Sequence, residues 1–222
     1  SRMVFGLSTK SRLYFHDMLL TDSASSLFLS ISHEFLCYAT SGSRCSLRFL
    51  PLKEINSFDP LMGMDQNHLL DGYEPRSVER GARIVAILPR QPMAVLQMPR
   101  GNLEGVYPRA LVLRFVMLQI SKGQYGDAFT MMRKHKVDLN LLVDFDPWHF
   151  YETGISSFFR QVSDIDHLNL FLSGLQDWDI TLSRFPVPAW LRRENLESKP
   201  RSTFDFSTKV NEICRKARST MA

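Results

Sequence analysis

The stretch that most constrains this chain runs from Met93 to Asp127, MAVLQMPRGNLEGVYPRALVLRFVMLQISKGQYGD, because the period of its apolar residues changes inside it. Upstream they tend to alternate, as in strands; downstream they recur every three or four positions, as in helices. Met93 to Met98 reads as a last strand and Pro99-Arg100-Gly101 as a breaker, with Asn102 as a helix cap or near-cap. Pro99 cannot donate to a sheet ladder, and Gly101 permits backbone angles that other residues resist. Val106, Ala110, Leu113, Met117 and Ile120 lie on one helical face, and Pro108 is tolerable in a first turn. Pro99, Arg100, Gly101 and Asn102 are therefore expected to form a structural hinge between a β region and an α region. Segregated strands and helices argue for two units rather than an alternating parallel sheet.

Upstream of the hinge, Val4–Leu7 and Arg12–Phe15 flank the polar cluster Ser8–Ser11 and predict a hairpin. Leu27–Ile31, Phe35–Thr40 and Cys45–Leu50 predict three more strands. Ile84–Leu88 and Met93–Met98 predict a second hairpin, turned by Pro89–Pro92. Short strands at this spacing suit a sandwich or a propeller blade. They are too few to close a propeller, so residues 1–98 are expected as terminal propeller strands with a long irregular loop at about 51–82.

Downstream of a hinge at 99–103, helix pairs are expected over 104–185. The first helix runs from about Glu104 to Lys122 and ends at Gly123. The second, roughly Gln124 to Lys136, should bury Tyr125, Ala128, Phe129 and Met132. Asp146-Pro147 opens another, and Ile155, Phe158, Phe159, Val162 and Ile165 carry the next helical face. Asp166 is expected to cap His167–Leu175, and Asp177–Asp179 to start a further turn. A linker is expected at 186–203 and a further helix at 204–222, carried by Val210, Ile213, Cys214, Ala217 and Met221. Successive short helix pairs, each too small to bury its own face, follow the logic of an α-solenoid with TPR-like pairs.

Chemistry is hard to find in this sequence. It has no Walker lysine motif, no GxGxxG, HExxH or GxSxG, and no paired Cys/His metal spacing. His16, His33, His68, His135, His149 and His167 are scattered. An enzyme reading built on His149 with Asp144, Asp146 and Glu152 needs a cleft; helix capping explains the aspartates without one, and Trp148 and Phe150 read as packing residues. Cys37, Cys45 and Cys214 suit a reduced protein: a hairpin could bring Cys37 and Cys45 face to face, but Cys37 sits in an apolar strand and reads as a buried thiol. We therefore expect no catalytic, cofactor-binding or metal-binding residues, no cofactor and no enzyme. No apolar run approaches a membrane span. The net charge of +4 owes much to Arg184, Arg192, Arg193, Lys199, Arg201, Lys209, Arg215, Lys216 and Arg218, read as a solvated face ahead of a phosphate footprint.

Three segments carry a resemblance. They are Glu79–Val85, the run Val95–Glu104 (VLQMPRGNLE) and Arg109–Leu113, continued by Asp127–Phe129, Met132–Lys134, Val137–Asp144, Phe159–Val162 and His167–Phe171. Together they closely resemble the family of the largest, scaffold subunit of the Elongator complex, collinearly over roughly 79–182. The first fifty residues resemble it more loosely, and the tail after Phe185 hardly at all. Arg114–Met117 departs from it by being more apolar than the outer side of that helix should be. The resemblance implies a fragment spanning the end of a WD40-type β-propeller and the start of an α-solenoid. It also implies a non-catalytic scaffold supporting carboxymethyl-type modification of tRNA wobble uridines in the cytoplasm, with a nuclear pool as a further location. Implied partners are the other Elongator subunits, including the catalytic radical-SAM and acetyltransferase-like one. Contact with tRNA is expected to be indirect, and homodimerisation to use segments outside this chain. The alternative of different class is a propeller-plus-solenoid coat or trafficking scaffold, which has no reason to carry LQMPRGNLE.

Overall fold

The structure, a computed structural model, describes residues 3–29, 35–42, 44–52, 75–183, 185 and 200–221. The chain falls into two compact units, Ser1–Val112 and Leu113–Ala222.

Among its described residues the first unit contains three antiparallel sheets. Strands β1 (Phe5–Leu7), β2 (Leu13–Phe15) and β3 (Met18–Thr21) form one. Strands β4 (Ala24–Leu29), β5 (Phe35–Thr40), β6 (Ser46–Pro51) and β7 (Arg76–Ser77) form the next. Strands β8 (Arg83–Ile87), β9 (Ala94–Gln97) and β10 (Leu103–Val106) form the last, in the order β10-β9-β8. The leading strands lie near one another: β4 neighbours both β1 and β8, and the Ile84 amide donates to Ser26 Oγ at 3.1 Å. Every residue of β5 is buried, so this strand reads as a continuous apolar run without alternation. Leu36 and Tyr38 of β5 join Leu13, Phe15, Leu20, Ala24, Leu50 and Leu52 in one core cluster.

Several expectations are met here. The hairpin around Ser8–Ser11 pairs Phe5 with Phe15 and Leu7 with Leu13. The β8–β9 hairpin pairs Ile87 with Ala94. Strand β3 was not foreseen; it follows a two-residue turn in which His16 takes a φ of 52°. Cys45 lies just before β6 rather than in it, and its thiol, like those of Cys37 and Cys214, is free. Cys37 is buried opposite Phe49, so no pair forms across the hairpin. Of the irregular stretch at 51–82, residues 53–74 lie outside the described residues; its far end supplies β7, which pairs with β6. Residues 30 and 31 of the expected Leu27–Ile31 strand also lie outside them.

The expected hinge takes a different form. Met98–Asn102 is a tight turn in which the Met98 amide donates to the Asn102 carbonyl (2.8 Å) and the Gly101 amide to the Met98 carbonyl (2.9 Å). Gly101 has the positive φ, +88°, that glycine tolerates best. The turn leads into β10, which pairs Leu103 with Gln97 and Val106 with Ala94, and not into a helix. Asn102 caps nothing; its side-chain amide donates to Glu104 Oε1 at 3.0 Å. The reason the helix starts later is Pro108. The residue before a proline is pushed away from helical angles, and Tyr107 lies outside the helix. The Pro108 carbonyl then accepts the first helical bond, from the Val112 amide at 3.1 Å. Helix α1 is Arg109–Ser121, five residues later than expected, and none of its residues is exposed. Val116 and Met117 are buried, and Phe115 lies on the half-buried side of the helix with Arg114 and Leu118.

In the second unit, Gly123 (φ 72°) ends the first helical run, and α2 (Tyr125–Lys134) buries Tyr125, Ala128, Phe129 and Met132, the four residues its spacing predicts. Helix α3 (Leu141–Asp144) is wholly buried. Helix α4 (Pro147–His149), a π-helical turn (Phe150–Gly154) and α5 (Ile155–Gln161) follow without a break. Helix α6 (Ile165–Ser173) is capped by Asp164, whose carboxylate accepts from the Asp166 and His167 amides. The cap is thus two residues ahead of the expected Asp166, because Asp164 has the extended backbone that an N-cap needs. Ile165, expected on the buried face of the preceding helix, opens α6 instead and is exposed. Asp179 caps the 3-10 turn Ile180–Leu182. Of the expected linker, 186–199 lies outside the described residues, while Arg201–Thr203 is a 3-10 turn. Helix α7 (Lys209–Met221) buries Ile213 and Ala217 and lies against α5. Phe158 sits at the centre of the unit's aromatic core, 4.8 Å from Phe171 and 5.6 Å from Phe129 between ring centroids.

Candidate interaction site

The side chains that an enzyme reading needs are sent to separate structural tasks. Asp146 Oδ1 accepts from the His149 amide at 3.2 Å and caps α4, which Pro147 opens. The His149 ring faces Thr153 Oγ1, one turn along the same helix. Phe150 is buried in the aromatic core, and Trp148 donates from Nε1 to Thr203 Oγ1 at 2.9 Å. Glu152 is exposed. No group of three or more His, Cys, Asp or Glu is placed to hold a metal ion among the described residues.

Asp144 has a role that sequence reasoning missed. It is fully buried and takes both carboxylate oxygens to the Lys209 ammonium, at 2.9 and 3.1 Å. The Ile180 amide donates to Oδ2 at 3.0 Å, and Lys209 donates again to the Trp178 carbonyl at 2.6 Å. Burial pushes the Asp144 carboxyl up to about 6, with Lys209 pulling it back down. Nearby, Asn140 donates to the Gly174 carbonyl and accepts from the Gln176 amide, both at 2.9 Å. Arg201 closes on Asp179 at 2.5 Å. These polar clamps fix residues 174–182 and the start of α7 against α3. Lysine near a polar stretch ordinarily reads as solvated, and its partner is 65 positions away.

One groove of about 600 Å3 lies between the start of α2 and the junction of α5 with α6. Gln161 spans its base, accepting from the Gly126 amide and donating to the Gly123 carbonyl, both at 2.8 Å. Asp127 and Asp164 line it, together with the hydroxyls of Thr130 and Ser163, and no Lys or Arg does. The two amides that Asp164 caps, with His167 nearby, hold its carboxyl below the usual range. Arg133 contacts His167 Nε2, and because a guanidinium can only donate, that nitrogen accepts. The groove offers hydrogen-bond acceptors and two carboxylates, with the Arg133 guanidinium over the Phe129 ring and helping to hold the Asp164 carboxyl down, and no nucleophile–base pair is formed among its lining residues. Pro99, Arg100, Gly101 and Asn102 lie elsewhere, in the β9–β10 turn of the first unit.

Among the described residues no helix is long and apolar enough to cross a membrane. Two family models match in the order of the two units. One, described as ELP1 N-terminal second beta-propeller, covers residues 1–85. The other, described as ELP1 alpha-solenoid, covers residues 109–222. The chain is similar to Elongator complex protein 1 of Oryctolagus cuniculus, 33% identical over 218 residues, with 98% of this chain and 16% of the relative covered. The Saccharomyces cerevisiae protein of that name is 31% identical over 225 residues, with 96% and 16% covered. That of Arabidopsis thaliana is 33% identical over 138 residues, with 62% and 9% covered. The chain thus spans about a sixth of the length of the two relatives that cover nearly all of it. Antiparallel sheets followed by paired helices, matched in that order by a propeller and a solenoid model, make this chain a member of the Elongator complex protein 1 family.

Proposed function

We propose that this chain is the propeller-to-solenoid part of a non-catalytic scaffold subunit of an Elongator complex. In this reading it supports carboxymethyl-type modification of tRNA wobble uridines by holding other subunits in place, including the radical-SAM and acetyltransferase-like one that does the chemistry. The observation that carries the reading is the collinear match of two adjacent family regions, on either side of residues 86–108. The disposition of ionisable side chains supports it: Asp144, Asp146, Asp164 and Asp179 are engaged in caps and ion pairs. The complex works in the cytoplasm, and tRNA is reached mainly through other parts of the assembly.

The test is to remove the full-length protein from its cells and quantify wobble uridines in tRNA by nucleoside mass spectrometry. Carboxymethyl-type uridines should disappear and return when the full-length protein is restored. Isolated chain supplied with tRNA, S-adenosylmethionine and acetyl-CoA should modify nothing. Unchanged wobble uridines in its absence, or turnover by the chain alone, would overturn the reading.

A further inference from the structure

Two stretches that the sequence sets apart, Glu79–Val85 and Val95–Glu104, meet at one end of the first unit. In the turn before β8 the Ala82 amide donates to the Glu79 carbonyl at 3.0 Å, which leaves Arg80 and Gly81 at the tip. Gly81 has a φ of +92°, and a methyl placed on it would stand 3.4 Å from Pro99 Cγ. This turn therefore lies against the Met98–Asn102 turn, whose tip carries Arg100. The strand register explains the meeting. Arg83 and Leu103 both pair with Gln97, so the start of β8, the end of β9 and the start of β10 are side by side. Residues directly opposite one another in a sheet share a face. Arg83, Gln97 and Leu103 thus form one row, and all three are exposed, Leu103 by 63%.

The charge at this end is of one kind. Residues 75–108 contain Arg76, Arg80, Arg83, Arg90 and Arg100, against Glu79 and Glu104, and no lysine. Arg90 belongs to the far turn, between β8 and β9, whereas Arg80, Arg83 and Arg100 stand together and are exposed. Among the described residues none of these three side chains has a hydrogen-bond or ion-pair partner. Glu104 is engaged by the Asn102 side chain instead. The neighbouring turn, joined by the Val78 amide to the Cys45 carbonyl at 3.1 Å, adds the exposed Arg44 and no acidic residue. Asp22 stands beyond it, beside the bond from the Ser41 amide to the Ser23 carbonyl.

A guanidinium fork fits a carboxylate and a phosphate alike. Two neighbours decide between them. Leu103 is an aliphatic side chain held in water beside Arg83, which serves a protein contact and adds nothing to a phosphate one. Single-stranded nucleic acid is gripped by stacking bases on aromatic rings. The one aromatic residue of 75–108 is Tyr107, half-buried beyond the far end of β10.

We propose that the paired turns, with Arg80, Arg83 and Arg100, dock an acidic segment of another subunit of the complex. Its Asp or Glu carboxylates take the guanidinium forks, and an adjoining apolar side chain covers Leu103. The proposal rests on the scaffold reading.

The experiment uses tagged full-length protein in its own cells, with a photo-cross-linking residue in place of Gln97. Beside it stand two double variants, Arg80→Glu with Arg100→Glu, and Arg80→Lys with Arg100→Lys. Illumination should join position 97 to a segment rich in Asp and Glu in one identified Elongator subunit. The charge reversal should lower recovery of that subunit by about tenfold, the equivalent of about 1.4 kcal/mol, with the others retained and the melting temperature unchanged. The lysine variant keeps the charge but loses the planar fork, so its retention should fall between wild type and the reversal. It carries the test alone if the reversal melts early. Adducts on RNA, on the same polypeptide, on a second copy or on a segment without acidic residues would overturn the proposal. So would the lack of any adduct in an assembled complex, or wild-type recovery of every subunit by folded variants. If the wild-type protein recovers no Elongator subunit at all, the scaffold reading falls and this surface falls with it.

Discussion

Lys209 is the first residue of α7, so its ammonium stands at the positive end of that helix as well as in a dry socket. The Asp144 carboxylate offsets most of both costs, helped by the Trp178 carbonyl and the face of the Phe206 ring. Breaking such a pair by removing one partner typically costs about 3–5 kcal/mol, whereas replacing both by apolar residues is often close to neutral. Lys209→Met should therefore destabilise the chain markedly at pH 7.5, and adding Asp144→Leu should recover most of the loss. The pH dependence has a defined sign. Folded Asp144 holds its proton up to about pH 6 against an ordinary value of 3.8. The folded state therefore takes up protons in that window, and this group's contribution falls as pH rises from about 4 to 6, then levels. Lys209→Met removes the ammonium that lowers the value, so in that variant the decline should continue above pH 6. Denaturant unfolding across pH 4–8 checks this; a variant penalty no larger at pH 7.5 than at pH 5 would contradict it. None of this was legible in the sequence. Asp144 read as a helix cap and Lys209 as a solvated residue, because pairing across 65 positions leaves no local pattern.

Elements were more legible where burial is one-sided. Tyr125, Ala128, Phe129 and Met132 recur at helical spacing and are the buried face of α2. Strand β10 escaped because its residues Leu103-Glu104-Gly105-Val106 are exposed or half-buried, so there is no alternation to read. Its turn should still be sensitive. Gly101→Val puts a β-branched residue at φ +88°, which costs on the order of 1–2 kcal/mol. Gly105→Ala should be milder: its new methyl meets Met93 Sδ at 2.8 Å, but that is the flexible end of a thioether chain. Thermal melts of the two variants check the order. Gly154 closes the π-helical turn, and a methyl there meets Tyr125 Oη at 2.7 Å and Phe150 Cδ2 at 2.9 Å. Both rings are buried and cannot swing aside. Overpacking of this kind costs about 1–3 kcal/mol, more than the roughly 1 kcal/mol that alanine gains over glycine in a helix. Gly154→Ala should therefore lower the melting temperature, although helix propensity alone predicts a rise.

At the scale of the whole molecule, the two units have their own cores, one of sheet residues around Leu36 and Tyr38 and one of aromatic rings around Phe158. A chain built this way need not unfold in one step. Calorimetry should resolve two transitions, with Gly101→Val lowering one and Lys209→Met the other. A single transition shifted equally by both would show one cooperative unit instead. The change of apolar period near residue 100 announced the order of strands and helices; Pro108, which delays the helix, was read only as tolerable.

The absence of lysine and arginine over 161–183 determines which reagents can see α6 and the residues that follow it. Trypsin, cutting after Arg160 and Arg184, releases this stretch as a single 24-residue peptide. Amine-directed labels and enzymes that acetylate or ubiquitylate lysine find no acceptor on α6. A surface of this composition keeps its own charge whatever lysine modifications the rest of the protein acquires, and carboxylate-directed, histidine-directed or photochemical labels will report on it where amine-directed ones cannot.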